Sequence, residues 1–411
     1  MTEFPSLTLK ERDLRWANAR KFLADQSLDC LIMFGLKGRE RYDTYLSNEY
    51  LEGLTIFPAN ADPIYLTWHY KMISRHFSPN LDPDIFWIKD KRVGLYGPGI
   101  VEALTSLSLT KGRIGIVGLD AKEAGQLEGI VSYNTWNHIL DNLPDAEFQE
   151  VTIEFGRVMM VKSEETLNLV RHSAMIGERC AEAMIETAKP GVLENEVCAA
   201  VFDVIHKHGA RPADPFMIMT LGTEDVGWYE PPWTQSGGRP REIQQGDVIL
   251  SELFPTYGGV ETQQQVAIAI GDVDPVYEEL SVIINECLEA GYAKLRPGFT
   301  FREVCDAMVQ PVIDHDCWNM TPMIHSVNPL MWVSQMGINL HQMERLTAYP
   351  GANKSIPHAA AALEIQPGMS FAFEPNVHRG NHRLNVGGAA IVTDGEPEVL
   401  NTLTNSLNKT E

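Results

Sequence analysis

The stretch that decides the fold reads GDVILSELFPTYGGVETQQQ over residues 246–265. The apolar residues 248–250 predict a buried strand, and the Tyr-Gly-Gly step at residues 257–259 predicts a turn. Residues 260–270 then predict the return strand. The stretch therefore indicates a β-hairpin.

Polar side chains follow one face of the return strand. Because side chains alternate along a strand, Glu261, Gln263 and Gln265 are expected to share a face, whereas Gln264 points the other way and is expected to be structural. Burying such a polar row is costly unless something uses it. We therefore expect this face to bind a substrate. For Glu261, a solvated position beside the turn is the competing interpretation.

The bulk composition is that of a globular protein with more than one domain. The chain has 411 residues, of which 44% are hydrophobic and 21% charged. The formal net charge of -22 argues against a nucleic-acid or anionic-membrane partner, because binding phosphates requires clustered Lys and Arg. The expected partner is a small-molecule substrate.

The cysteines indicate a reduced environment. The six of them form no CxxC pair and no Cys/His metal spacing, and residues 197–199 place one thiol in an apolar helical pattern. Residues 1–5 lack the basic and apolar regions of a signal peptide, and no apolar run is long enough to span a membrane. The sequence therefore predicts a cytoplasmic protein.

Two differently patterned regions follow each other along the chain. Residues 1–155 predict a small α/β domain with a mixed sheet, with a helix at 9–26 and strands at 30–35, 54–58, 64–68 and 113–117. After a join at 153–163, a helix-helix-strand-hairpin order appears twice, each time around a Pro-Gly helix stop. The predicted helices are 164–188, 194–208, 278–295 and 301–309.

Several motifs in this order resemble the creatinase/aminopeptidase P/prolidase family. They are VKSEE at residues 161–165, the KPG and RPG helix stops, GDV at 246–248 and IQPGMSFAFEPN at 365–376. The resemblance covers nearly the whole chain. It implies an α/β (α+β) fold, in which a small N-terminal α/β domain (1–155) precedes a pita-bread catalytic domain (156–411). That second domain has a curved antiparallel sheet flanked by helices.

Metallopeptidases of this family bind two metal ions through two Asp, one His and two Glu, and the resemblance matches these positions one at a time. The first Asp corresponds to Glu252 and the second to Gln263. The first Glu corresponds to Glu374 and the second to Gly387.

The family's histidine ligand can be matched to this sequence in two registers. In one, His325 matches the first His of the family's F-I-H-S-x-G-H-G run, and the metal-binding His falls on Pro329. In the other, Met336 stands at the ligand position and His341 follows it.

In either register too few anionic ligands remain to neutralise two dications in a desolvated cleft. We therefore expect no metal and no other cofactor. The resemblance is then closer to creatinase and the ectoine hydrolases, which implies a metal-independent hydrolase that cleaves a C–N bond in a small, nitrogen-rich, cationic or zwitterionic compound. The competing interpretations are a metal-dependent Xaa-Pro peptidase with an atypical site, an osmolyte lyase and a non-catalytic binding protein.

Opening a C–N bond requires an activated water or a nucleophile, and a proton for the departing nitrogen. Two carboxylates in one buried cleft divide these roles. The candidate catalytic residues are Glu252, Glu374, His325 and Glu261. A hydrogen-bonded core position is the competing interpretation of His325.

Neutral amides and aromatic rings complete the predicted site, since ring faces attract cationic groups. The candidate substrate-binding residues are Gln263, Gln265, Trp228, Tyr229, His341 and Tyr45. The resemblance also implies a homodimer in which the region of Tyr45 reaches the partner's cleft.

Overall fold

The computed structural model describes residues 4–35, 41–50, 53–120, 130–329, 334–352 and 361–410. The helix and strand bounds agree closely with those expected from the sequence. The N-terminal helix, for example, runs over Leu9–Gln26, and its first turn is capped by the Thr8 side chain.

A mixed sheet flanked by helices forms the N-terminal part of the chain, as predicted. Its strands are β1 (Cys30–Phe34), β2 (Gly53–Pro58), β3 (Ile64–Thr67), β4 (Asp90–Val93), β5 (Arg113–Val117) and β6 (Glu147–Glu150), in the order β4-β3-β2-β1-β5-β6. The helices are α1 (Leu9–Gln26), α2 (Thr44–Ser47), α3 (Tyr96–Ser106), α4 (Tyr133–Asn142) and α5 (Thr152–Met160). The boundary predicted at residue 155 falls inside α5, and its position as a domain limit stays a prediction.

Helices also flank the strands of the C-terminal part. They are α6 (Glu164–Thr187), α7 (Glu194–Lys207), α8 (Pro232–Ser236), α9 (Val276–Lys294), α10 (Phe301–Asp314) and α11 (Glu344–Thr347). Ser163 caps α6 by accepting from the backbone N–H of Thr166, with acidic residues in the first turn, where the helix dipole favours them. The α10 helix continues beyond the predicted end at residue 309.

The C-terminal strands pair in three groups. They are β7 (Arg211–Leu221), β8 (Val248–Tyr257), β9 (Val260–Glu261), β10 (Gln264–Ile270), β11 (Ile324–Ser326), β12 (Ser370–Phe373), β13 (Asn376–Arg379), β14 (His382–Asn385), β15 (Ala389–Ile391), β16 (Glu398–Val399) and β17 (Leu407–Thr410). The groups are β17-β10-β8-β7 with β9 on β8, then β11-β12-β15-β16, and the β13-β14 hairpin. Pairing is antiparallel except between β10 and β17.

An isolated backbone bridge joins two of these groups beside the predicted site. The backbone N–H of Gln265 donates to the carbonyl of Gly387 at 3.0 Å. The bridge holds the end of β14 and the start of β15 against β10. Side chains from all of these strands therefore meet in one place.

The cysteines lie in the protein interior. All six cysteines are buried and free, as expected of reduced core thiols. Among the helices that the structure describes, none is both long and apolar enough to cross a membrane.

Candidate active site

The hairpin quoted from the sequence forms the floor of the site. Strands β9 and β10 both pair with β8 in the same register, and the pairing is interrupted between Glu261 and Gln264. The alternation predicted for this strand is confirmed, since the Gln263 amide donates to Glu261 Oε1 at 3.1 Å. Gln265 lies directly opposite Glu252 on β8, so this face carries both acid and amide groups. The side chains of Glu252, Glu261, Gln263 and Gln265 are all buried.

Glu374 and His325 come to this face from neighbouring strands. Glu374 follows β12 and accepts from the Gln265 amide at 3.2 Å through Oε2. Its other oxygen lies 3.7 Å from His325 Nε2. The same ring nitrogen lies 2.9 Å from Gln263 Oε1. The structure thus brings together Glu374, His325 and the predicted polar row, each member of which is 5% exposed or less.

Glu252 is held by two residues that the sequence interpretation missed. The Asn385 amide donates to Glu252 Oε1 at 3.2 Å, and Arg383 Nη2 lies 3.8 Å from the same oxygen. Both side chains belong to β14, at alternating positions ahead of Gly387. Their period-two spacing was the available signal, because it places the guanidinium and the amide on one strand face.

Arg383 is a buried cation with a fixed orientation. Only 2% of it is exposed, and Nη1 donates to the carbonyl of Gly227 at 2.6 Å. Burial lowers the pKa of Arg383, and the carboxylates of Glu252 and Glu374 act in the opposite direction. The guanidinium therefore supplies fixed positive charge beside the two acids.

The hydrogen bonds of His325 indicate its protonation state. Gln263 directs its NH₂ group to the Glu261 carboxylate, so its oxygen faces His325 Nε2. The other ring nitrogen, Nδ1, lies 2.9 Å from the carbonyl of Ser326. Oxygen acceptors thus face both nitrogens, an arrangement that favours a ring with a proton on each of them.

Several buried polar atoms of the site have no hydrogen-bond partner within the described structure. They include Gln265 Oε1, Asn385 Oδ1 and Arg383 Nε. Each belongs to a side chain whose other end is tied to Glu252 or Glu374. Unpaired buried polar atoms are costly, so their presence beside two carboxylates marks a place for a polar ligand.

The predicted aromatic residues lie at the edge of this cluster. Trp228 is 45% exposed, and it follows Gly227, which accepts from Arg383. Tyr229 donates to the Asp225 carboxylate, and burial, followed by that hydrogen bond, raises its pKa to about 12. Its hydroxyl is therefore neutral at physiological pH.

The remaining two predicted residues lie elsewhere. His341 occupies an exposed 3₁₀ turn, and none of its described hydrogen bonds or ion pairs reaches the cluster. The structure therefore gathers His325 rather than His341 into the site. Tyr45 lines a separate cavity between the N- and C-terminal parts of the chain, under the guanidinium of Arg15 at 4.8 Å.

The residues that the structure describes do not fit a two-metal centre. Gly387 has φ 141°, and a Cβ built there would lie 2.0 Å from the carbonyl oxygen of Phe373, so this backbone excludes a glutamate ligand. Gln263 is a neutral amide, and the guanidinium of Arg383 stands next to Glu252. A buried cation beside a carboxylate opposes the binding of a dication there. Within the described residues, no group of three or more His, Cys, Asp or Glu is arranged to hold a metal ion.

The architecture defines the class of protein, which is the pita-bread fold predicted from the sequence. The solved X-Pro aminopeptidase from Thermotoga maritima superimposes with a TM-score of 0.72 at 14% identity, covering 96% of this chain and 99% of that one. The family model for metallopeptidase family M24 matches residues 168–394, and the chain belongs to this family.

Relatives within the family carry different names. The Xaa-Pro dipeptidase of Pyrococcus furiosus is 20% identical over 243 residues, which are 59% of this chain and 65% of the relative. The chain thus spans under two thirds of that relative's length. The creatinase of Bacillus sp. strain B-0618 is 19% identical over 319 residues, covering 76% of this chain and 73% of the relative.

Proposed function

We propose that this protein is a metal-independent hydrolase that cleaves a C–N bond in a small, nitrogen-rich, cationic or zwitterionic compound. The observation that carries the proposal is the replacement of metal ligands by a buried guanidinium. Arg383 stands beside Glu252, and the backbone at Gly387 has no room for a carboxylate ligand. The charge needed to hold the two acids in a buried cleft thus comes from the chain itself.

The charge of the cluster favours a cationic group on the substrate. The site holds three glutamates, one arginine and the imidazolium, all of them buried. Among the residues that the structure describes, acidic side chains therefore outnumber cationic ones, and a positive group on the substrate would offset the difference. The unpaired oxygens of Gln265 and Asn385 add acceptors for N–H groups. An amidine, guanidine or ammonium group has this chemistry.

The geometry supports a division of labour between Glu374 and His325. Glu374, oriented by Gln265, takes a proton from a water molecule as that water attacks the carbon of the C–N bond. The imidazolium of His325, 3.7 Å from Glu374, then gives its proton to the departing nitrogen as the bond breaks. Glu252 remains the carboxylate that faces the substrate's positive group. The imidazolium cannot act as the initial base, which leaves that role to Glu374.

A metal-dependent Xaa-Pro peptidase is the second candidate. It is supported by the relatives named as Xaa-Pro dipeptidases and by the family model itself. Against it stands the donor set, in which a glycine and an amide occupy matched ligand positions.

The test is turnover measured with and without metal. Purified protein is dialysed against a chelator, analysed for Mn, Fe, Co and Zn, and assayed with ectoines, creatine, betaines and Xaa-Pro dipeptides. We expect hydrolysis of a nitrogen-rich compound, unchanged by the chelator, with oxygen from isotopically labelled water in the product. The Glu374→Gln variant should lose on the order of 10²-fold or more in kcat. Stoichiometric metal retained through dialysis, together with Xaa-Pro cleavage, would overturn the proposal in favour of the peptidase.

A further inference from the structure

A cavity of about 320 Å³ lies beside the active site, between the N-terminal and C-terminal parts of the chain. Helices α1 and α2 form one wall, and the start of α6 and the β8–β9 hairpin form the other. Its volume is that of a binding site for a small molecule. Of the candidate catalytic residues, Glu261 lines this cavity, whereas Glu252 and Glu374 do not.

The lining is rich in basic side chains. Four of them contribute, with two acids, although the chain as a whole carries a net charge of -22. The basic residues are Arg15, Arg41, Lys162 and Arg211. Such a concentration of basic side chains on one concave surface runs against the acidic composition of the chain.

The four cations differ in how far other groups neutralise them. Arg15 is bound to Glu11 at 2.6 Å, and Arg41 to the buried Asp43 at 3.4 Å. Lys162 is 8% exposed and lies 3.5 Å from the carbonyl of Val327. Arg211 is exposed and, among the side chains that the structure describes, has no carboxylate within ion-pair distance. Arg211 therefore has capacity for a charged hydrogen bond to an anion.

A chain of hydrogen bonds connects the cavity to the reacting groups. Glu261 lines the cavity and accepts from Gln263, whose oxygen lies 2.9 Å from His325 Nε2. Asn328, another lining residue, accepts from the backbone N–H of Glu261 at 2.7 Å. The cavity is thus linked to the Glu374–His325 pair through the side chains of Glu261 and Gln263.

We propose that this cavity binds the carboxylate end of the substrate. The substrate is then a zwitterion, with a carboxylate near Arg211 and its nitrogen-rich end at His325 and Glu374. The placement of the nitrogen-rich end at His325 and Glu374 rests on the proposed function. The binding of a carboxylate in the cavity rests only on the basic side chains that line it, and it can be tested separately.

The first experiment measures anion binding without turnover. Glutarate and its uncharged counterpart glutaramide are titrated calorimetrically into the wild-type protein at low ionic strength. The same titrations are made with Arg211→Gln and with Arg113→Gln, a control on an exposed arginine of β5 that does not line the cavity. We expect glutarate but not glutaramide to bind. Affinity should fall about 10-fold or more in the Arg211 variant, as for a lost charge-assisted hydrogen bond, and stay unchanged in the control.

The outcomes separate this inference from the proposed function. Equal binding of glutarate and glutaramide, no binding of either, or unchanged affinity in Arg211→Gln overturns the carboxylate site. Glu374→Gln should bind glutarate as the wild type does, even if no C–N compound is ever turned over. With a hydrolysed zwitterion in hand, Arg211→Gln should raise KM about 10-fold with little change in kcat, as expected for lost ground-state binding. An unchanged KM overturns the inference and leaves the hydrolase intact.

Discussion

The charge of Arg383 is predicted to hold the site together, and its removal gives the sharpest test. Arg383 and Glu252 lie 3.8 Å apart with side chains only 2% and 3% exposed. Replacing Arg383 with Met removes the guanidinium from beside the buried Glu252 carboxylate and leaves the Gly227 carbonyl without this donor. Breaking a buried pair from one side costs about 3–5 kcal/mol, so we expect a loss of that size in the free energy of unfolding.

A compensating substitution separates charge from packing. In the double variant Glu252→Gln/Arg383→Met a neutral amide replaces the carboxylate at position 252, and its oxygen still offers an acceptor to the Asn385 amide. We expect the double variant to regain about 2–3 kcal/mol relative to Arg383→Met, which is a coupling energy typical of contacting charges.

The assay is denaturant unfolding followed by fluorescence, with calorimetric melting as a second readout. The control is Arg113→Met, which breaks the exposed pair with Glu147 at 3.5 Å and should cost below about 1 kcal/mol. If Arg383→Met costs no more than this control, or if adding Glu252→Gln makes the loss larger, the assignment of Arg383 as the charge that neutralises the site is wrong.

Three further predictions concern neighbouring positions. Gly387→Ala should destabilise the protein by about 3 kcal/mol or more, because its Cβ would overlap the Phe373 carbonyl oxygen; equal unfolding midpoints would contradict this. Gln263→Asp, which restores one family ligand type, should still retain no stoichiometric Mn after gel filtration. Burial, and then a nearby guanidinium, hold the pKa of His378 well below its ordinary value of 6.5. Below pH 6.5 the unfolded chain therefore takes up a proton at this histidine that the native protein does not. The free energy of unfolding should fall by about 1.4 kcal/mol per pH unit below pH 6.5, and His378→Phe should remove this contribution. The control His206→Phe, at an exposed position, should not remove it.

Much of the fold could be predicted from the sequence because its signals are local. The Pro-Gly steps at residues 190–191 and 297–298 follow the ends of α6 and α9. The alternation of Glu261, Gln263 and Gln265 fixes a strand face without knowledge of the partner strand. The gathering of Glu374 and His325 followed from matching family positions. Their hydrogen bonds to Gln265 and Gln263 are consistent with that match.

The charged half of the site could not be predicted in the same way. Arg383 lies outside the matched ligand positions, and its importance depends on burial and on the distance to Glu252, which are tertiary properties. The basic cavity is equally invisible in the sequence. Arg15 and Arg211 are far apart along the chain, and only the packing of the N-terminal part against the β8–β9 hairpin brings them to one surface.

The glycine at position 387 limits how this site can change by mutation. A missing side chain can ordinarily be introduced by one codon change. At position 387, however, the Cβ of any side chain would lie 2.0 Å from the Phe373 carbonyl oxygen. A side chain at position 387 would be tolerated only if the backbone around Phe373 and Gly387 moved apart first. A substitution at position 387 alone is therefore not expected to create a carboxylate ligand, and any variant that carries one there would first need a different backbone path.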